Sequence, residues 1–189
     1  MGIETRLWLI RHAPVDGPRG VIHGADAPAD IGDAAAFAAL KARLPANAFA
    51  VCSPARRTLE TADALGLAPI REVNFREQDF GTWTGRRHDD LVAELGDAYR
   101  EFWKSPARNR PPGGESFVDQ MARANAGLAA LPAGDVVLVV HSGTIRAVLA
   151  IALDLEPDGA LRFVIDPLSL TRIDRLENGW RVVAVNQRG

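Results

Sequence analysis

Arg6-Leu-Trp-Leu-Ile10 runs straight into Arg11-His12-Ala13-Pro14, and Val136-Val-Leu-Val-Val140 runs straight into His141-Ser142-Gly143-Thr144. Both runs are short and apolar, the pattern of parallel strands buried on both faces. In an open α/β sheet the ligand crevice lies beyond the carboxyl ends of the strands, so two imidazoles from opposite ends of a chain can meet in one site. One histidine at a strand end reads as a half-buried side chain bonded to a neighbouring carbonyl. Two of them, one preceded by arginine and the other followed by a small-residue helix start, point to chemistry.

A chain of 189 residues with 47% hydrophobic content can fill a sizeable core and fits one domain over residues 1–189. Its formal net charge of −2 argues against a nucleic-acid partner, which calls for a basic excess or stripe. Cys52 is the only cysteine, so neither an intrachain disulfide nor a cysteine-based zinc site is available. Following the apolar Phe49-Ala-Val51, it reads as a buried strand residue. The opening residues lack a signal-peptide pattern and no apolar run reaches membrane-spanning length, so the expectation is a cytoplasmic protein without a membrane partner. No heptad pattern or repeat sets an oligomeric state.

Outward from the first strand, Ala13 to Asp33 is rich in Gly, Pro and Asp and reads as a structured loop. Ala34 to Leu44 carries Phe37, Leu40 and Leu44 at helical spacing, and Ala48 to Cys52 reads as the next strand. Ser53-Pro54 supplies an N-cap and a first-turn proline for a helix through about Leu65, ending near Gly66. Phe75 to Gly85 is irregular, Asp89 to Trp103 is helical with Leu91, Leu95 and Phe102 as core contacts, and Arg108 to Gly114 is a Pro/Gly loop. Ser116 and Asp119 form a capping box for a helix marked by Val118, Met121, Leu128 and Leu131. After the second histidine-bearing strand comes a helix from about Gly143 to Leu153. Two closing strands, Ser169 to Leu176 and Trp180 to Val185, flank the hairpin signal Glu177-Asn-Gly179.

Arg11-His12 joins a nucleophilic imidazole to a permanent cation that can bind two phosphoryl oxygens at once. Arg57 falls in the first turn of a helix that starts directly after a strand, where free N–H groups and the helix dipole attract anions. Arg56, about a quarter-turn away, reads as a solvated surface residue. His141 stands beside another helix start, where a neutral imidazole would hydrogen-bond a phosphoryl oxygen. Expelling an alcohol also needs a proton, and Glu77 is the best candidate for its donor, with Asp79 a rival that local spacing does not eliminate. No compact carboxylate or cysteine cluster suggests a catalytic metal.

Four segments in order carry a family resemblance: Arg11-His12-Ala13, Ser53-x-x-x-Arg57-x-x-x-Thr61-Ala62, Glu77-x-x-Phe80-Gly81-x-Trp83-x-Gly85 and His141-Ser142-Gly143. They resemble the Arg-His-Gly, Ser-x-x-x-Arg-x-x-x-Thr-Ala, phosphatase-branch acid and His-Gly-Gly motifs of the histidine phosphatase superfamily, whose fold is phosphoglycerate-mutase-like. The resemblance implies an α/β three-layer sandwich with a mostly parallel central sheet. It implies that His12 is transiently phosphorylated, that Arg11, Arg57 and His141 hold the phosphoryl oxygens, and that Glu77 protonates the leaving group and then assists water. Ser142 and His23 join the expected substrate-binding set, and neither metal nor cofactor is expected. Pro14 to Pro18 stands where the family has Thr and Asn, Ala13 and Ser142 replace glycines, and Thr84 stands where Glu is frequent.

The loop at Gly20-Val-Ile-His23-Gly24 and the segment Arg110-Pro-Pro-Gly-Gly-Glu115-Ser116 look closest to the α-ribazole phosphatase branch. His23, the Trp83 segment and the Arg110 to Ser116 turn are expected on the leaving-group side of the pocket. His88 reads as a surface residue, and Trp83 and Trp103 as core packing before aromatic wall. The leading functional class is a phosphomonoesterase acting on a small phosphate ester. A phosphoglycerate-type mutase and a noncatalytic phosphate-binding regulatory domain are the alternatives; the first is disfavoured by Phe80-Gly81-x-Trp83, the second by retention of His12 and Glu77.

Overall fold

The computed structural model describes residues 3–188. Strand β1 (Ile3–Arg11) is followed by α1 (Ala34–Lys41), β2 (Phe49–Cys52), α2 (Arg56–Ala64) and the short β3 (Ile70–Arg71). Two single-turn 3-10 helices, Val73–Phe75 and Gly81–Trp83, lead to α3 (His88–Leu95), α4 (Asp97–Lys104) and α5 (Phe117–Ala129). Next come β4 (Gly134–Val140), α6 (Ser142–Leu153), α7 (Pro157–Ala160) and the hairpin of β5 (Leu170–Leu176) and β6 (Gly179–Gln187).

The strands form one sheet in the order β3-β2-β4-β1-β5-β6. The first four run parallel, and the hairpin adds β5 and β6 antiparallel at the β1 edge. Alternation along β4 builds two cores. Val136, Leu138 and Val140 pack with Leu7, Leu9 and Phe75 against α5 and α6, while Val137 and Val139 pack with Ile10, Phe37, Leu40 and Leu65 against α1 and α2. The sheet therefore lies between two helical layers, and because β1 and β4 are covered on both sides they read as continuous apolar runs. A smaller cluster of Ile22, Trp83, Leu91, Tyr99 and Phe102 packs under α3 and α4.

Three expectations are corrected. Ser53 does not cap α2, which starts at Arg56 with Ala55 as a cap that makes no side-chain bond; the Ser53 hydroxyl is taken by His141 Nε2 at 2.8 Å. The helical stretch from Asp89 to Trp103 is divided at Gly96, whose φ of 51° and ψ of −115° interrupt the ladder between α3 and α4. Trp83 is buried as expected, but Trp103 is 45% exposed, because α4 turns its Tyr99 and Phe102 face inward and leaves Trp103 beside a surface cavity. The capping box is present as read, with Ser116 Oγ accepting from Asp119 N and Asp119 accepting from Ser116 N.

Leu138 is fully buried in the central strand. Leu138→Ala is expected to cost about 2–5 kcal/mol through lost transfer energy and a residual cavity, read as a shift of the urea midpoint at unchanged slope. A loss of under about 1 kcal/mol would mean that β4 is not the closed core described here.

Candidate active site

The parallel register of β1 and β4 pairs Arg11 with Val140, so the residues that follow, His12 and His141, leave the sheet side by side. The His12 amide continues the ladder by donating to the Val140 carbonyl at 2.9 Å. The two rings meet edge to face with centroids 5.1 Å apart, and both are buried. His12 Nδ1 lies 2.6 Å from the Ala13 carbonyl, an acceptor only, which assigns the proton to Nδ1 and leaves a lone pair on Nε2. Arg57 Nε donates to that Nε2 at 3.2 Å. On His141, Nε2 meets Ser53 Oγ, and Nδ1 is buried with no partner among the described residues. Burial, the neighbouring imidazole and the Arg57 charge hold His12 well below the ordinary histidine value. Burial with the charges of Arg57, Arg123 and Arg11 does the same for His141. Both rings are therefore neutral at neutral pH.

Three guanidiniums surround the imidazoles. Arg57, second residue of α2, donates from Nη1 to the Gly24 carbonyl at 2.6 Å. One turn on, Thr61 Oγ1 accepts from the Ala13 amide at 3.0 Å and ties α2 to the end of β1. Arg11 Nη1 donates to the Ile165 carbonyl at 2.5 Å, while its buried Nε has no partner among the described residues. Arg146 on α6 donates from Nε to the Phe163 carbonyl at 2.9 Å. Among the described residues none of the three makes an ion pair. Burial draws each below the ordinary arginine value, opposed by the attraction of Glu77. Arg56, by contrast, is exposed and paired with Glu60 at 2.7 Å.

Glu77 reaches into this cluster. Its carboxylate accepts from the Gly143 amide in the first turn of α6 at 3.3 Å, from Gln120 Nε2 at 3.0 Å and from the Gln78 amide at 3.1 Å. A Cβ on Gly143 would stand 2.2 Å from Glu77 Oε1, so only glycine leaves room for the carboxylate. Arg123 on α5 fixes the backbone that carries Glu77: Nη1 donates to the Asn74 and Arg76 carbonyls, both at 2.8 Å, and Nη2 to the Glu77 carbonyl at 3.0 Å. Glu115, half-buried and ion-paired with Arg123, accepts from the Asp79 amide at 3.0 Å. Asp79 itself is exposed, and its carboxylate turns back to the Gly81 amide at 2.8 Å. The two carboxylates that sequence spacing left as rivals thus have different surroundings.

Glu77 stands between two cavities. One, of about 330 Å³, is lined by His23, Gly24, Arg57, Thr84 and His141; the other, of about 190 Å³, by Phe80, Phe102, Trp103, Ser142 and Arg146. His23 and Ser142 are therefore brought to the site. The Arg110 to Ser116 turn is not: Arg110 pairs outward with Asp119 at 2.7 Å, and the turn instead backs the loop at Gly81, accepting the Thr82 amide at the Pro112 carbonyl. His88 is half-buried rather than a free surface residue, bonded to the Tyr99 hydroxyl. A larger hollow of about 610 Å³ beside α1, lined by Asp30, Asp33 and Asp166, touches neither imidazole. Among the described residues no three His, Cys, Asp or Glu side chains cluster to hold a metal ion, and no described helix is long and apolar enough to cross a membrane.

Sequence reasoning missed Ser53 as a partner of His141, Gln120 and Arg123 as supports of Glu77, and Arg146. The last had a visible signal: it is the one charged residue in Ser142-Gly-Thr-Ile-Arg-Ala-Val-Leu-Ala-Ile-Ala-Leu153, an otherwise apolar or small-residue helix.

The profile of the histidine phosphatase superfamily (branch 1) matches residues 7–188. A curated bifunctional protein of Mycobacterium tuberculosis is 30% identical over 202 residues, covering 100% of this chain and 55% of that protein; the chain spans about half the length of the curated relatives it matches. The crystal structure of the α-ribazole phosphatase from Shigella flexneri superposes with a TM-score of 0.83 at 22% identity over 96% of each chain, a likeness of fold alone. The mycobacterial glucosyl-3-phosphoglycerate phosphatase superposes with a TM-score of 0.81 at 28% identity, over 96% of this chain and 98% of that one.

Two outcomes follow from the packing. Gly143→Ala should push the Glu77 carboxylate off the first turn of α6 at a cost of about 1–3 kcal/mol; a crystal structure of the variant with Glu77 unmoved would contradict the tight fit. The unfolded chain takes up protons on His12 and His141 as pH falls through 6.5, whereas the folded state resists until the lower folded values are reached. The unfolded state then binds more protons, so stability falls as pH drops below 6.5. Urea unfolding across that range should show a shallower pH slope for His141→Asn than for the parent; equal slopes would show that His141 is not held neutral.

Proposed function

The chain belongs to branch 1 of the histidine phosphatase superfamily, and from that membership we propose that it is a phosphomonoesterase working through a phosphohistidine at His12. The observation that carries this reading is the state of His12: a neutral imidazole anchored at Nδ1, with its Nε2 lone pair meeting Arg57, which makes no ion pair among the described residues. Such a lone pair attacks phosphorus as the bond to the leaving alcohol breaks. Arg57 Nε–H, which donates to Nε2, turns to a phosphoryl oxygen when His12 attacks, joined by Arg11 and by a donor from His141 Nδ1. For His141 the Ser53 hydroxyl, already accepting from the Ala55 amide at 3.3 Å, gives its hydrogen to Nε2, which leaves the proton on Nδ1. The first turn of α6 at Ser142 adds backbone N–H groups.

Glu77 in its acid form donates a proton to the departing oxygen. In the second half it takes a proton from the water that attacks the phosphohistidine, releasing inorganic phosphate and restoring His12. Fixed donors and cations supply the positive charge, so the reaction as proposed uses no metal or cofactor. The substrate is α-ribazole phosphate or another small phosphate ester, with His23 and Thr84 on the pocket wall; the motif resemblance supports the former and the aromatic wall suits either. We place the enzyme in the cytoplasm, without a nucleic-acid or membrane partner.

Glu77→Gln tests the division of labour. Hydrolysis of glycerol phosphate should fall by about a hundredfold to ten-thousandfold, and hydrolysis of p-nitrophenyl phosphate, whose leaving group needs no proton, far less. Equal losses on both, or a larger selective loss in Asp79→Asn, would remove Glu77 from the acid role.

A further inference from the structure

Resting on the phosphatase reading, we infer that Arg146 and the aromatic cavity beside it form a leaving-group subsite that takes a carboxylate on a flat or apolar alcohol. The leaving oxygen must lie within hydrogen-bond reach of Glu77, so the leaving group occupies a space that Glu77 borders. Glu77 borders two: the one containing Arg57 and His141 receives the phosphoryl group, with His23 and Thr84 on its wall, and the other opens on the opposite side of Glu77 to the body of the alcohol. The other, of about 190 Å³, has room for about six waters at their liquid volume, and so for a compact organic acid.

Its walls specify the occupant. Phe80, Phe102 and the half-exposed Trp103 present apolar and aromatic surface, which favours a flat or apolar body. Arg146 is the sole arginine or lysine in that wall. Its Nε is spent on the Phe163 carbonyl, and both Nη groups lack a hydrogen-bond partner among the described residues. Burial has already weakened its hydration, and Glu77 attracts it without pairing. When Glu77 is in the acid form required for proton donation, that attraction vanishes and Arg146 stands in the cavity wall with no counter-charge. A planar fork with its terminal nitrogens free matches the two oxygens of a carboxylate. A leaving alcohol that carries a neutral base, such as a ribazole, would leave the guanidinium unpaired, so within the proposed function the cavity favours the acidic ester.

The test compares kcat/KM for 4-carboxyphenyl phosphate and phenyl phosphate, which differ only in the carboxylate. The parent enzyme should prefer the former, and Arg146→Gln should lower the ratio of the two by about tenfold or more, the worth of a charge-assisted hydrogen bond. Trp103→Glu, at a half-exposed position on the outer side of Tyr99 and Phe102, sets a carboxylate in the same cavity and should lower the same ratio even if Arg146→Gln fails to fold. A parent ratio near one, or a ratio kept in either variant, overturns the subsite. Hydrolysis of neither ester by the parent enzyme, with no phosphate released from α-ribazole phosphate or glycerol phosphate, would instead overturn the phosphatase reading on which the subsite rests.

Discussion

The parallel pairing of β1 with β4 is the constraint on which the rest depends. It places two residues separated by most of the chain on adjacent strands at the same level, and the His12 amide bonding to Val140 extends the ladder to the edge of the site. Neither strand could be moved without losing both cores, because each buries apolar side chains on both faces. A register slip of one residue would exchange the two faces and turn the histidines away from each other. The geometry of the imidazole pair is therefore inherited from the packing of Leu7, Leu9, Leu138 and their neighbours rather than built by the site itself.

The site opposes stability with charge. Two buried neutral imidazoles and three guanidiniums without ion-pair partners among the described residues surround one carboxylate, an arrangement whose burial costs are only partly offset by hydrogen bonds to the Gly24, Ile165 and Phe163 carbonyls. A phosphoryl dianion would satisfy these donors together, which is why the same cluster is poor for folding and suited to an anion. The opposite design holds the Glu77 segment: Arg123 and Glu115 are fully engaged, and Gly143 and Gly81 allow backbone and carboxylate to approach where any Cβ would collide.

What was legible in the sequence followed from local periodicity and from motif order. Apolar runs ending in histidine, the Ser116–Asp119 box and the Asn178-Gly179 hairpin each have a short-range physical cause, and each is where it was read. Arg57 was selected over Arg56 by helix position and by the family motif, and the one is buried and the other exposed. The errors arose where a side chain is claimed by a distant element. Ser53 has the composition of an N-cap, but His141, 88 residues away, takes its hydroxyl. The Arg110 to Ser116 turn is near the site in space yet faces its back, because the two-sided contact of Glu115 with Arg123 and Asp79 fixes which side it presents. No short-range pattern carries such partners. Arg146 differs: a lone cation in an apolar helix was visible, and its meaning came only with the cavity it lines.

The central claim is that the Nε2 lone pair of His12 is the nucleophile. Rapid mixing of the protein with a radiolabelled phosphate ester, quenching within the first turnover and mapping of the labelled peptide measures this directly. The account predicts an acid-labile, base-stable phosphate on His12 that disappears in His12→Ala together with turnover. Label on any other residue, or normal turnover by His12→Ala, would contradict it.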